Sequence, residues 1–358
     1  MTVPIVPPEA ITAEWLSSAL SAGGVQARVR EFTQRRVGTG QIGQSIRFQL
    51  DYSDAPAGAP TSLVGKFAAP EPDSRNTGVL LGNYRREVSF YRHIAPTALV
   101  SIPRCYFTAF DEETHDFALL MEDLAPAEPG DQLAGCTVDQ ARLAVLEAAN
   151  LHASHWDDSR IEQLDWVSGT QAAGGAGGAD PGALEALWQA FCDRYGDRVE
   201  PDMRRVGDRF VARYDRYDVY YRGPKSLVHI DYRPDNMMFA TAAGGRPVTV
   251  LDWQSLAFGC GVTDVAYFLA GALKRDERRR IERDLLAEYH QRLSERGVRY
   301  DFDQLWDDYR SRAFSLFLVA FYAAMLVNQT PRGDEMFLAM VRSSTDQVLD
   351  LESLAFLD

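Results

Sequence analysis

The sequence predicts an α+β chain of two lobes, a small β-rich N-terminal lobe followed by a large, mainly helical one. Three observations carry this. The chain has 358 residues, more than twice the roughly 150 of a common domain. Apolar residues alternate with period two in its first third, the mark of half-buried strands. Beyond Pro126 they recur at helical spacing instead. The expected division is 1–124 and 125–358, with the polar, proline-ended segment Glu122-Asp123-Leu124-Ala125-Pro126 as connector.

The elements follow in order. Ser45 to Tyr52 places Ile46, Phe48, Leu50 and Tyr52 on one side of a strand. The turn-rich stretch Asp54 to Pro60 breaks it, and Ser62 to Phe67 forms a second strand, predicting a hairpin. Pro70 to Thr77 is expected to be a loop and Tyr84 to Ile94 a helix. Phe107 to Phe110 and Phe117 to Met121 are expected strands around Asp111 to Thr114. Helical periodicity then covers Val138 to His155. A glycine-rich loop spans Ser168 to Gly182, and helices run from Ala183 to about Tyr220. Short strands at Leu227–Ile230 and Thr249–Leu251 flank a central loop, and everything from Asp264 onward is helical.

Composition narrows the class. Hydrophobic residues at 46% and charged residues at 25% are globular values that exclude disorder and collagen. A formal net charge of −14 opposes nucleic-acid and anionic-membrane partners, which require a basic face. The four cysteines (Cys105, Cys136, Cys192, Cys260) are too scattered for a zinc knuckle or a disulfide framework. The N-terminal stretch lacks the basic start and apolar core of a secretory signal. The longest apolar run, Ala313 to Val327, falls short of the roughly 20 residues that span a bilayer and is expected to be a buried helix. A cytoplasmic monomer or homodimer is the expectation. Of 37 Lys+Arg, only Lys66, Lys225 and Lys274 are lysine.

Gly38-Thr39-Gly40-Gln41-Ile42-Gly43 matches G-x-G-x-x-G. A dinucleotide fold would start a helix after the third glycine, whereas an alternating strand follows here. A loop joining two antiparallel strands instead lets the backbone at Gly38, Gly40 and Gly43 cover a triphosphate; a plain hairpin turn competes with this reading. Lys66 lies within the apolar run Leu63 to Phe67, where arginine would be the chain's default cation. Glu87 lies on the apolar stripe of Tyr84, Phe90, Tyr91 and Ile94, and a buried carboxylate requires a partner. Lys66 is the candidate, and a lysine so held can reach the α- and β-phosphates. The competing readings are a Lys66 that snorkels to solvent and a Glu87 that reaches solvent or pairs with Arg86.

The central loop is Leu227-Val228-His229-Ile230-Asp231-Tyr232-Arg233-Pro234-Asp235-Asn236, an H-x-D-x-x-x-x-N pattern, with Asp252 ending the apolar strand Val248–Leu251. Phosphoryl transfer to an alcohol needs a carboxylate to orient the hydroxyl and take its proton. It also needs hard oxygen ligands for Mg²⁺. Asp231 can supply the first, and Asn236 with Asp252 the second. His229 is read as a hydrogen-bonded packing histidine. Turn roles for Asp231, Asp235 and Asn236 compete with the catalytic reading.

With these residues in this order, followed by Asp264-Val265-Ala266-Tyr267-Phe268-Leu269, the chain resembles the aminoglycoside phosphotransferase and choline kinase branch of the protein-kinase-like fold, within it most the bacterial ecdysteroid-kinase-like phosphotransferases. The resemblance implies the two-lobed protein-kinase-like fold, ATP and Mg²⁺ as cofactors, and a small-molecule alcohol as substrate. It implies that Glu122 and Leu124 present backbone groups to adenine, that Arg233 touches the γ-phosphate, and that Asp264 fastens the catalytic loop from below. Three features depart from the pattern: Ile230 stands where glycine is usual, Trp253-Gln254 replaces Phe-Gly, and no A-P-E segment follows. The missing A-P-E segment, with helices beginning almost at once, opposes a protein substrate, and Trp156 to Pro224 with the C-terminal helices would build the acceptor pocket. Aromatics between Trp188 and Tyr221 are read as core packing over an apolar acceptor site.

The function expected is therefore transfer of the γ-phosphoryl group of ATP to a hydroxyl of an aminoglycoside-, choline- or steroid-like alcohol. A catalytically silent nucleotide-binding regulator is the alternative, disfavoured by the complete catalytic set. An NAD-dependent enzyme rests on the glycine string alone.

Overall fold

The computed structural model of the chain describes residues 3–38, 40, 42–168, 181–218 and 223–358. Most of the glycine-rich stretch expected as a loop at Ser168–Gly182, the end of the helical region near Tyr220, and Thr39 and Gln41 of the glycine string lie outside the described residues. The chain divides into two compact units. The first comprises the chain up to Thr97 together with Ile102–Pro126 and Asp252–Gln254; the second holds Ala98–Ser101, Ala127–Leu251 and Ser255–Asp358.

The first unit is built on five strands, β1 (Arg28–Val37), β2 (Gly43–Asp54), β3 (Ser62–Ala68), β4 (Cys105–Phe110) and β5 (Phe117–Glu122). They form an antiparallel sheet in the order β1-β2-β3-β5-β4. Helix α1 (Ala13–Ala22), capped by Thr12 Oγ1 on the Trp15 N–H, packs Trp15, Leu16, Ala19 and Leu20 against Val29, Phe48, Leu63 and Phe67. Burying such side chains is the main source of cohesion here. With period two along β3, Leu63 and Phe67 enter this cluster and Lys66 points to the other face. Helices α2 (Pro72–Leu80) and α3 (Asn83–Ser89) follow β3, and α3 continues into a π-helical turn at Phe90–Ile94, closed by the Ala95 N–H on the Phe90 carbonyl.

The second unit opens with β6 (Glu128–Pro129) and α4 (Val138–Ser154), the latter started by a capping box of Thr137 and Gln140. Short helices α5 (Ser159–Glu162) and α6 (Asp165–Ser168) precede α7 (Pro181–Tyr195), α8 (Pro201–Ala212) and α9 (Tyr214–Asp218). The short strands are β7 (Ser226–Val228), β8 (Met237–Thr241), β9 (Gly244–Val250) and β10 (Ala257–Gly259). The rest is helical: α10 (Val262–Ala272), α11 (Arg275–Glu295), α12 (Phe302–Ser311), α13 (Ser315–Leu326) and α14 (Pro331–Asp350). Trp188, Phe191, Phe210, Tyr214 and Tyr217 are buried, with Phe210 stacked on Phe314 at 4.9 Å and Trp188 packed on Phe317 at 5.2 Å. The described aromatics of this stretch are thus core. The apolar run from Ala313 is the buried helix α13. Among the described residues no helix is long and apolar enough to cross a membrane, and all four cysteines are free.

Several elements depart from the sequence reading. Pro70–Thr77, expected as a loop, is largely α2, started by Pro72 in its first turn with Asp73 near its positive end. Its apolar stripe is too weak to signal a helix. The strand expected to reach Ile230 stops at Val228, because the next two N–H groups bond a side chain rather than a ladder. Finally, α1 was not expected, and β1 was implied only as the strand before the glycine loop; it buries only Val29 along its length, so no alternation marks its bounds.

Candidate active site

In the first unit, β1 and β2 pair antiparallel from Val37 and Ser45 backward, so the glycine string joins two strands and a strand follows Gly43. Gly38 has φ +72°, a conformation that glycine adopts without strain. A β-carbon on Gly43 would lie 3.1 Å from the Phe67 carbonyl, so β3 would have to yield by a few tenths of an ångström to admit one. Buried Tyr84 anchors the end of the loop by donating to the Ile42 carbonyl at 2.6 Å.

Lys66 and Glu87 meet. Lys66 Nζ lies 2.8 Å from Glu87 Oε1, 2.7 Å from Glu87 Oε2 and 2.6 Å from Asp252 Oδ1. Two carboxylates thus share one ammonium. Burial disfavours the lysine's charge, but Asp252 and Glu87 outweigh it and the Lys66 pKa is raised. Glu87, 1% exposed, is pushed up to about 7 by burial, against the pull of Lys66 and a hydrogen bond from the Trp253 N–H. Asp252 sits at φ +66°, and its Oδ2 accepts from Gln254 Nε2 at 3.1 Å. At the connector, the Glu122 N–H is committed to the Arg104 carbonyl at 2.8 Å, whereas the Leu124 N–H makes no hydrogen bond among the described residues.

In the second unit the loop after β7 is held from within. Asp264, fully buried on the first turn of α10, accepts the His229 N–H at 2.6 Å and the Ile230 N–H at 2.9 Å. His152 Nε2 lies 3.2 Å from the same carboxylate. These bonds hold Ile230 at φ +73°, a left-handed conformation costly for a β-branched residue. His229 is buried, its Nε2 2.8 Å from the Leu251 carbonyl.

The loop presents Asp231 with every oxygen engaged. Oδ1 accepts from Tyr267 Oη at 2.9 Å, and Oδ2 accepts from Asn236 Nδ2 at 2.8 Å. Arg233 Nε lies 3.0 Å from Oδ1. Burial would raise the Asp231 pKa, but the charge of Arg233, with His229 and the Tyr267 hydrogen bond, carries it below the ordinary carboxyl value. The group is an ionised acceptor. Asn236 reaches back to Asp231 rather than closing an Asx turn. Because its NH₂ also bonds the Asp231 carbonyl at 2.8 Å, its Oδ1 is the atom left for a ligand. Arg233 is clamped by Asp235 at 2.6 Å as well as by Asp231, and Nη1 also touches Met336 Sδ at 3.4 Å. Asp235 in turn accepts the Gln132 N–H at 2.7 Å.

Each unit therefore brings its own candidates together: Lys66, Glu87 and Asp252 in one, Asp231, Arg233 and Asn236 in the other. The sequence reading missed Tyr267, Gln254, Arg86 and Asn83. Tyr267 stands three residues after Asp264 on α10, a lone hydroxyl in an apolar run, which is the one signal that could have drawn attention to it. Among the described residues no group of three or more His, Cys, Asp or Glu is arranged to hold a metal ion. The Asn236 amide oxygen, in the second unit, and the Asp252 carboxylate, in the first, are each hard oxygen donors of the kind Mg²⁺ prefers.

Comparison with solved structures finds the same fold. A GDP complex of wild-type aminoglycoside 2'-phosphotransferase-IIIa matches with a TM-score of 0.52 and 13% identity, over 94% of this chain and 99% of that one. An aminoglycoside phosphotransferase from Alicyclobacillus acidocaldarius matches with a TM-score of 0.51 and 13% identity, over 99% and 97%. A Plasmodium vivax ethanolamine kinase matches with a TM-score of 0.50 and 11% identity, over 88% and 82%. No curated protein sequence matches significantly. The class is that of the two-lobed, protein-kinase-like fold. Residues 66–306, well over half of the chain, match the model of the phosphotransferase enzyme family (APH), and the chain belongs to that family. It is an enzyme, a small-molecule kinase.

Proposed function

We propose that this enzyme transfers the γ-phosphoryl group of ATP to a hydroxyl of a small-molecule alcohol, in a Mg²⁺-dependent reaction. The observation that carries the reading is Asp231: an ionised carboxylate fixed by Tyr267, Arg233 and Asn236 on a loop that Asp264 ties down. Such a group orients the acceptor hydroxyl and takes its proton as the new O–P bond forms and the bond from Pγ to the bridging oxygen breaks, releasing ADP. The backbone at Gly38, Gly40 and Gly43 covers the phosphates. Lys66, steadied by Glu87, holds their α- and β-oxygens, and Arg233 holds the γ-phosphate. The Leu124 N–H, with the Glu122 carbonyl, receives the adenine.

Asn236 Oδ1 and Asp252, which follows Leu251 in the chain, would hold Mg²⁺. The ion, when bound, neutralises phosphate charge. The family match and the donor chemistry support this assignment. Relatives of the same fold named for aminoglycosides and for ethanolamine support a polar alcohol as acceptor. Asp231 and Asn236 being intact disfavours a silent regulator.

The test is consumption of [γ-³²P]ATP with Mg²⁺ across a panel of aminoglycosides, amino alcohols and sterols. Asp231→Asn is expected to lower transfer by about 10²–10⁴-fold, the usual contribution of a general base. Undiminished transfer by that variant removes Asp231 from the role.

A further inference from the structure

Helix α3 and the π-helical turn that continues it present four side chains at i, i+3, i+4 and i+7 to one short segment. Asn83 Nδ2 and Arg86 Nη1 both donate to the Gln254 carbonyl, at 3.3 and 2.7 Å. Glu87 accepts the Trp253 N–H, and Phe90 stacks on the Trp253 ring with centroids 4.0 Å apart and planes 5° from parallel. Asn83, Arg86, Glu87, Phe90 and Trp253 are all buried. Gln254 closes the circuit through Nε2 on Asp252 Oδ2. A positive φ at Asp252 is sparsely populated for a residue with a side chain, so surrounding contacts must maintain it.

Of these contacts, that of Arg86 is the most demanding. Arg86 is 6% exposed, and burial pulls its guanidinium pKa down to about 10. An ion is kept in the interior at that cost, with its short hydrogen bond directed at a backbone carbonyl two residues from Asp252. The same Nη1 also donates to the Leu81 carbonyl at 3.2 Å, at the end of α2. The same helix face therefore sets Lys66, through Glu87, and Asp252, through Gln254.

We propose that Arg86 is a positioning residue for Asp252: it fixes the Gln254 carbonyl, Gln254 fixes the Asp252 carboxylate, and the site's affinity for Mg²⁺ depends on this chain of hydrogen bonds. The proposal rests on the assignment of Asp252 as a Mg²⁺ ligand. It goes beyond that assignment by placing control of the ligand on a residue that touches neither metal nor nucleotide.

The experiment is calorimetric titration of the full chain with ADP, with and without Mg²⁺, for the wild type, Arg86→Met, Arg86→Lys, Gln254→Leu and Asp252→Asn. The expected result for Arg86→Met is a metal-free ADP Kd within about twofold of wild type. Its Mg²⁺-dependent gain in affinity should be reduced by up to about tenfold, the worth of one charge-assisted hydrogen bond. Arg86→Lys should restore part of the gain, and Gln254→Leu should lose it as Arg86→Met does. Should Arg86→Met fail to fold, Arg86→Lys and Gln254→Leu decide by the same criteria. Retention of the full gain by the arginine and glutamine variants, with loss in Asp252→Asn, overturns the positioning role and leaves the metal assignment standing. A gain absent from the wild type, or unaffected in Asp252→Asn, overturns both.

Discussion

Replacing Lys66 by methionine leaves Glu87 buried without the ammonium that lies 2.7 Å from it. Asp252, a quarter exposed, can turn to water and Gln254, but Glu87 at 1% exposure cannot. Breaking such a buried pair costs about 3–5 kcal/mol when the stranded group stays charged. Glu87 escapes part of this by taking a proton, and that escape depends on pH. Its folded pKa, about 7, already exceeds the ordinary 4.5, so folding is accompanied by proton uptake. This contribution to stability is fully present below 4.5 and is lost as pH climbs through 7. Loss of Lys66 raises the folded value further and extends the penalty, at about 1.4 kcal/mol per pH unit. Lys66→Met should therefore cost about 1.4 kcal/mol more at pH 8 than at pH 5, because between the two only the wild-type carboxyl, at about 7, sheds its proton. Lys66→Met combined with Glu87→Leu should return to within about 1 kcal/mol of the wild type. Urea unfolding at the two pH values measures both. An equal loss at pH 5 and pH 8, or a double variant as weak as the sum of its singles, would refute the buried-pair account.

Asp264→Ala strands two buried N–H groups, and urea unfolding should show a loss of about 2–5 kcal/mol, whereas Asp264→Asn, which keeps an acceptor, should lose less. Ile230→Gly should be more stable than Ile230→Ala by about 1 kcal/mol, because both lose the side chain and only glycine adopts φ +73° freely; equal melting midpoints would show that the left-handed backbone carries no strain. Tyr267→Phe removes one hydrogen bond to Asp231, so hydrolysis of [γ-³²P]ATP should slow about tenfold while the Kd for ADP holds. Gly78→Ala places a β-carbon 2.5 Å from the Tyr84 ring, whose hydroxyl tethers the glycine loop. ADP affinity should fall more than thermal stability does.

Much of the fold was legible along the chain because each unit carries its own period. Alternation in β2 and β3 and the helical spacing in α4 follow from one face being buried. Elements with little buried surface, such as β1 and α2, leave no such trace. H-x-D-x-x-x-x-N was legible because loop chemistry is written in a short span. The partners of that loop were not, since Asp264 and Tyr267 lie more than thirty residues away on α10.

Order along the chain, composition and spacing determined the two-part α+β plan, the family resemblance and the identities of Lys66, Glu87, Asp231, Asn236 and Asp252. Only tertiary structure decided what these groups are chemically. The charge of Arg233 and a hydroxyl brought from α10 make Asp231 a poised anion, burial on α3 lifts Glu87 toward neutrality, and the grip of Asn83 and Arg86 on Gln254 helps maintain the backbone at Asp252. Protonation state and direction depend on distance and solvent exposure, which residues far apart in the chain acquire only when folding brings them together.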